Sequence, residues 1–510
     1  MIFIYHNQKK VLEIERHNKY LTFNSGFSVS KILKNLAKEF PDEILVWCEL
    51  NFKTSLNKNS LESLLHHQKM MLSFSPNGNF FGNNIGFIED SPVINVNKKV
   101  RYPTWQMSSC VGMIHSKVVL KMDAIACDND FDYFLNSLAK IGLPLGLICY
   151  SEPQLLINHD DKSNKSASAF QLFKFVKQHY KMQWTFLLLL NLKVYKSKMP
   201  ILAFLYAAFF KNRNKNAIQL DSIDVQSSRL VVNDATLDVI IPTIGRKKYL
   251  YDVLKDLAAQ THLPINVIIV EQNSERESVS DLDFLYTENW PFLIDHTFTH
   301  QVGACSARNI ALSKVKSEWV FMADDDIRFN EKFIEMTFKK AKQYGAKSVT
   351  TSCLNRNQIN YYLNIHQSGI FGSGCSFIKS ELINRVSFDK NLEFGYGEDT
   401  DFGLQLRNLG EDIIYFPELE ILHLSASMGG FRIKPAFPWT NNKLQPKPSP
   451  TIMYVKKKHN TFEQICGYKL VLFIKLINKQ SIFEYYKFFK SFQQKWNCSV
   501  YWANELKQND

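Results

Sequence analysis

Three consecutive aspartates, Asp324, Asp325 and Asp326, follow the apolar run Trp319-Val320-Phe321-Met322-Ala323 without a break. Adjacent carboxylates repel one another and lose hydration when a strand end is covered. A divalent cation among their oxygens offsets that cost. Hard ions such as Mg2+ and Mn2+ favour carboxylate ligands and keep positions open for phosphate oxygens. Aspartate is also common in solvated turns at strand ends, so the acid run takes its meaning from its surroundings. A second acidic pair, Glu398-Asp399, opens a helical stretch with Phe402, Leu406 and Leu409 on one face and Gly410 as its stop. A carboxylate there can cap the helix or take a proton from a hydroxyl. The helix dipole is expected to lower the pKa of Asp399 and keep it ionised.

The elements that must carry these groups read as alternating strand and helix. Leu237-Asp238-Val239-Ile240-Ile241 is a short β-branched strand, and Pro242-Thr243-Ile244-Gly245-Arg246 turns the chain. Tyr249 to Gln260 has helical spacing, with Leu250, Val253, Leu254 and Leu257 on one face. Ile265-Asn266-Val267-Ile268-Ile269-Val270 is almost continuously apolar, as suits a parallel strand covered on both sides. This is a βαβ unit. Its ligand site belongs at the carboxyl ends of the strands, where Thr243, Glu271 and Asn273 would cluster. A helix over Ala304–Lys314 leads into the acid-bearing strand. Arg308 lies at its start, where backbone donors favour anions. Arg308 and Arg246 are therefore candidate nucleotide contacts, and Arg308 also reads as an ordinary solvated helical arginine. Arg432 follows Gly429-Gly430-Phe431 and could reach a diphosphate with its planar fork.

Five short motifs occur in one order. They are Val239-Ile240-Ile241-Pro242-Thr243, Val267 to Asn273, Gly303-Ala304-Cys305-Ser306-Ala307-Arg308-Asn309, the three aspartates, and the pair Gly372-Ser373-Gly374-Cys375-Ser376-Phe377 and Gly397-Glu398-Asp399-Thr400-Asp401-Phe402. Over about 237–432 the chain resembles the family 2 glycosyltransferases of the GT-A fold. The resemblance implies an α/β, doubly wound, mostly parallel sheet. It implies a nucleotide-sugar donor contacting Pro242, Thr243, Gly245, Arg246, Glu271, Asn273, Arg308, Asp324, Asp325 and Arg432. It further implies Mn2+ or Mg2+ held by Asp324, Asp326 and His423, with Asp399 as base and Glu398 orienting the acceptor. The expected reaction moves a sugar, with inversion, to a hydroxyl of a glycan or lipid-linked acceptor in bacterial surface polysaccharide or glycolipid synthesis. One departure stands out: Glu271-Gln272-Asn273-Ser274 replaces the two acids and Gly-Ser of many members. His423, in Ile421-Leu422-His423-Leu424, also reads as a satisfied core histidine. A nucleotidyltransferase is the rival enzyme, but Pro242-Thr243-Ile244-Gly245 makes a poor phosphate loop. A non-catalytic scaffold of a glycan-assembly complex is the other alternative.

The first 158 residues echo this region. Ser109 to Ser116 resembles Gly374 to Ser380, and Asp132 to Gly142 resembles Thr400 to Gly410, which sets Phe131 opposite Asp399. The strand Ile44-Leu45-Val46-Trp47 runs into Cys48-Glu49-Leu50-Asn51 rather than an acid triplet. A degenerate GT-A-like domain lacking both metal and base is the expectation. The resulting plan is this domain over 1–158, a helical linker over 159–235, a catalytic domain over 236–430 and a basic, aromatic-rich helical tail over 431–510.

Composition fits these expectations. The chain has 510 residues, a net charge of +12 and nine cysteines. No CxxC pair occurs, so the thiols read as small core groups in a reducing compartment. Trp184 to Phe210 is apolar but interrupted by Lys193, Lys196, Lys198 and Pro200, so no span is expected. A cytoplasmic protein results, with docking of the tail on the anionic inner face of the plasma membrane as an added expectation. No nucleic-acid-binding pattern accompanies the charge.

Overall fold

The computed structural model describes residues 1–91, 94–157, 166–213, 218–426, 437–477 and 482–508. Residues 429–432, with the candidate Arg432, lie outside them, as do residues 158–165 and 214–217. The chain divides into two compact units. One is Met1–Arg229 with Arg407–Gly410 and Asn460–Leu472, and the other is Leu230–Leu406 with Glu411–His459 and Phe473–Asp510. Each is built on its own mixed sheet. The expected α/β class, with two sheet domains, helices between them in sequence and C-terminal helices, is what the structure shows.

In the second unit the strand order is Leu293–Thr299, Asn266–Gln272, Leu237–Thr243, Trp319–Ala323, Cys375–Lys379, Ser348–Asn355, Ile413–His423 and Ile327–Arg328. The first four are mutually parallel, and Cys375–Lys379 runs against its neighbours. Val239, Ile240, Ile241, Val267 and Ile269 are fully buried, as their uninterrupted apolar runs require. The helix Lys247–Ala258 covers the sheet with Leu250, Val253, Leu254 and Leu257, the face read from its spacing.

One buried carboxylate sets the alignment of the acid-bearing strand. Asp238 accepts from Lys316 N at 2.7 Å, Ser317 N at 3.0 Å and Ser317 Oγ at 2.6 Å. Hydrogen bonds to a charged group contribute about 1.5–3 kcal/mol each. They hold the entry to Trp319–Ala323, so that Met322 lies beside Ile240 and the aspartates emerge next to Thr243.

In the first unit the order is Lys19–Tyr20, Val11–Arg16, Ile2–His6, Ile44–Glu49, Val111–His115, Met70–Phe74, Ile148–Ser151 and Tyr102–Pro103. Here the strand after Ile2–His6 returns antiparallel. Only Asn7 to Lys10 separates the two, with Asn7 Oδ1 accepting from Lys9 N and Lys10 N. Parallel pairing needs a crossover of about a dozen residues, so this turn permits only a hairpin.

The linker forms helices Ala169–His179, Met182–Lys196 and Ile201–Ala207. The tail forms Pro450–His459, Phe462–Leu476 and Ile482–Gln508. Among the described residues no helix is long and apolar enough to cross a membrane.

Candidate active site

A cavity of about 370 Å³ opens at the carboxyl ends of the second unit's strands. Pro242, Thr243, Arg246, Arg308, the three aspartates, Glu398, Asp399 and His423 all line it. Gly245, Glu271 and Asn273 are not in its lining. Glu271 instead pairs with His296 Nε2 at 2.9 Å, and Asn273 Oδ1 accepts from Glu275 N at 3.0 Å.

The three aspartates point to three environments. Asp325 is buried, with Thr243 Oγ1 donating to it at 2.7 Å and Arg246 at 2.6 Å. Burial still pushes its pKa up to about 6. Asp326 is also buried, and burial alone would raise its pKa. The His423 ring and the Ala426 N–H, which donates at 2.7 Å, outweigh that and hold it below the usual range. Asp324 is partly exposed and accepts from Arg308 at 2.9 Å.

Asp324, Asp326 and His423 each offer a ligand atom, all within 4.8 Å of one another. His423 Nδ1 lies 3.0 Å from Asn355 Oδ1, which fixes the ring, and Nε2 is 3.2 Å from Asp326 Oδ1. Asp326 Oδ1 is buried, and beyond its 3.2 Å ion-pair contact with the His423 ring it has no well-aligned donor among the described residues. A carboxylate oxygen left in that state favours a cation. The donor set of two carboxylates and an imidazole therefore suits a divalent ion, and bonding to Asp326 raises the His423 pKa in its absence.

Across the cavity the helix Glu398–Asn408 begins with Glu398 and Asp399. Ser373 N donates to Asp399 Oδ1 at 3.2 Å. The sequence led us to expect a depressed pKa at this helix start. The structure corrects that: burial of the carboxyl group outweighs Arg308 and the helix start, and the pKa is raised. Burial and the adjacent Asp399 push Glu398 up to about 7. Arg308, itself buried, carries the compensating positive charge among Asp324, Asp399 and Glu398.

Several participants escaped sequence reasoning. The helix Ala304–Leu312 was expected to offer its backbone donors to an anion. That anion is the chain's own Glu393, which accepts from Cys305 N and Ser306 N at 2.9 Å each. Gly303, at φ 151, makes room: a Cβ there would stand 2.3 Å from the Glu393 carboxyl carbon. Gln272 Oε1 accepts from Gly303 N at 2.5 Å. Gly374 is equally constrained, since a Cβ would lie 2.1 Å from Asp324 Oδ2. Asp401, fully buried, receives His459 Nε2 at 2.6 Å and Lys458 Nζ at 2.9 Å, tying the tail helix Pro450–His459 to the helix that bears Asp399. Glycines inside the quoted motifs were the available signal for the close approaches. Nothing local marks Glu393 or His459, because both act on partners distant in sequence.

Residues 238–395 match the family described as glycosyl transferase family 2. Glycosyltransferase GlyG of Streptococcus pneumoniae is 24% identical over 185 residues, covering 31% of this chain and 61% of that protein. An uncharacterized glycosyltransferase of Rickettsia conorii is 23% identical over 165 residues, covering 32% of this chain and 27% of that protein. Among solved structures, S. aureus TarS 1–349 in complex with UDP-GlcNAc aligns over 51% of this chain and 81% of its own, at 13% identity and a TM-score of 0.35. GalNAc-T7 with UDP, GalNAc and Mn2+ aligns over 53% and 56%, at 13% identity and a TM-score of 0.36. The chain thus spans less than two thirds of the length of these curated relatives. The second unit thus carries a stretch similar to the family 2 glycosyltransferases.

Proposed function

We propose that this domain transfers a sugar from a nucleoside-diphosphate sugar to a hydroxyl acceptor, with inversion, and that Mn2+ or Mg2+ takes part. The observation that carries the reading is the meeting, in one cavity, of a cation-ready cluster and a separate carboxylate with a raised pKa. Asp324, Asp326 and His423 would hold the ion. When bound, it supplies a Lewis acid for the negative charge that gathers on a departing diphosphate.

The chain's own residues do the rest. Thr243 and Arg246 lock Asp325 and so stiffen the strand end beneath the donor. Asp399 takes the acceptor proton, because a carboxylate whose pKa is raised toward the working pH is a better base than an unperturbed one. Arg308 keeps Asp399 and Asp324 in one site without mutual expulsion. Glu398, raised to about 7, is suited to bind an acceptor hydroxyl as a neutral acid. The nine free cysteines support a reducing, cytoplasmic setting, and a surface polysaccharide or glycolipid is the proposed product class. The test is Asp399→Asn. Retained nucleotide binding with transfer lowered about 10²–10⁴-fold supports the base role, and near-normal turnover rejects it.

A further inference from the structure

Among the described residues, the linker helices of the first unit leave an apolar face exposed. Met182, Phe186 and Val194 on Met182–Lys196 are 52%, 56% and 56% exposed. Leu202, Leu205 and Phe209, on and just beyond Ile201–Ala207, are 74%, 52% and 86% exposed. The opposite sides of the same helices are apolar too: Leu188, Leu189, Leu192, Ala203 and Ala207 are buried in the unit's core. A helix apolar on all sides belongs in a core or against lipid. Beside this face lies a cavity of about 490 Å³ lined by Phe81, Leu172, Phe173 and Leu192, with the exposed Lys198 and Met199 at its edge.

Charge identifies the occupant. Between Asp161 and Asp221 the sequence holds eleven lysines and arginines and no carboxylate. The exposed apolar side chains are interleaved with exposed Lys181, Lys193, Lys198 and Lys211. A second copy of the chain would bring this positive face against itself. A nucleic acid would give Leu202 and Phe209 nothing to bury against. Neither helix is long or apolar enough to span a bilayer. We propose that this face docks in the plane of an anionic lipid bilayer, the apolar side chains entering the acyl boundary and the lysines meeting the headgroups. The tail, expected from sequence to take this role, is the weaker candidate. Its helix Ile482–Gln508 exposes Tyr486 and Phe489 but turns Phe492 and Trp496 inward.

The proposal is independent of the transfer reaction, since it is read without turnover. The experiment is flotation of the full chain at low salt with vesicles of phosphatidylcholine alone or mixed with phosphatidylglycerol. The native chain is expected to float with the mixed vesicles and much less with the neutral ones, and to be released by added salt. The triple variant Leu202→Ser, Leu205→Ser, Phe209→Ser is expected to lower the bound-to-free ratio tenfold or more, because three large apolar side chains no longer enter the bilayer. These side chains face solvent, so the variant's melting temperature is expected to stay native, and Tyr486→Ser with Phe489→Ser is expected to float as the native chain does. The proposal is overturned by a native chain that stays at the bottom of the gradient. It is equally overturned by a triple variant that floats normally, or by one whose only change is loss of a dimer in sedimentation.

Discussion

In the first unit Ile44–Glu49 runs parallel to Ile2–His6 and antiparallel to Val111–His115; in the second, Trp319–Ala323 stands in the same relation to Leu237–Thr243 and Cys375–Lys379. The registers correspond. Ile44 faces His115 as Trp319 faces Lys379, and Glu49 N donates to Cys110 O as Asp324 N does to Gly374 O. Glu49-Leu50-Asn51 therefore occupy the places of the three aspartates.

The following helix matches as well, with a shift of one residue from the sequence alignment. Asp132, second in the helix Phe131–Gly142, accepts from Ser109 N at 2.7 Å and Ser109 Oγ at 2.9 Å. Asp399, second in its own helix, accepts from Ser373 N. The first unit thus carries a carboxylate at the place corresponding to Asp399, where the sequence alignment set Phe131. What it has lost is the space in front. Phe131 stands in the place of Glu398, with its ring centroid 5.9 Å from that of Trp47 and 5.4 Å from that of His6. Gly112 admits the Trp47 indole, which a Cβ would meet at 2.2 Å. A tied aspartate at a helix start is consequently a structural device first. On the proposed reading it serves as a base only where a cavity and a cation-ready cluster lie before it.

Breaking both aspartates separates these roles with the largest effect. Asp399→Asn is expected to abolish most transfer, whereas Asp132→Asn should leave turnover per folded molecule unchanged and cost about 1–3 kcal/mol of stability, read by denaturant unfolding. Equal losses of turnover would erase the distinction. Paired glycine substitutions come next. Gly374→Ala drives a methyl into Asp324 and is expected to weaken Mn2+ binding about 10–100-fold in a titration. Gly112→Ala drives one into Trp47 and is expected to lower stability by about 1–3 kcal/mol with Mn2+ affinity intact.

Much of this contrast was legible in the sequence. The βαβ pattern, the acid run and the two motif echoes lie within short windows, where spacing and burial are coupled directly. The one-residue offset that aligns Asp132 with Asp399 was not legible. It depends on where each helix starts, and a match anchored on Gly142 and Gly410 slides past it. Nor was the raised pKa of Asp399, since helix position is local but burial is set by the whole cavity wall. Glu393 and His459 were hidden for the same reason: each partner comes from a distant part of the chain.

The smallest expected effect concerns Glu398, whose counterpart Phe131 cannot ionise. Its folded pKa of about 7 exceeds the ordinary value of 4.5. A raised carboxyl holds its proton more tightly in the folded state. Its stabilising contribution is therefore full below about pH 4.5 and is lost as pH rises through about 7. In metal-free protein, Glu398→Gln should melt a few degrees above the native chain at pH 8, with the gap narrowing as pH falls toward 4.5. A gap that widens on acidification would reverse the assignment.

The claim that the second unit alone performs metal-assisted sugar transfer meets its most direct test in release of nucleoside diphosphate from a panel of nucleotide sugars. The native chain, the chain with chelator, and Asp326→Asn would be assayed with Mn2+ and with Mg2+. Release by the native chain with metal, and its disappearance with chelator and in Asp326→Asn, is the expected result. Undiminished release in either of the last two would contradict it.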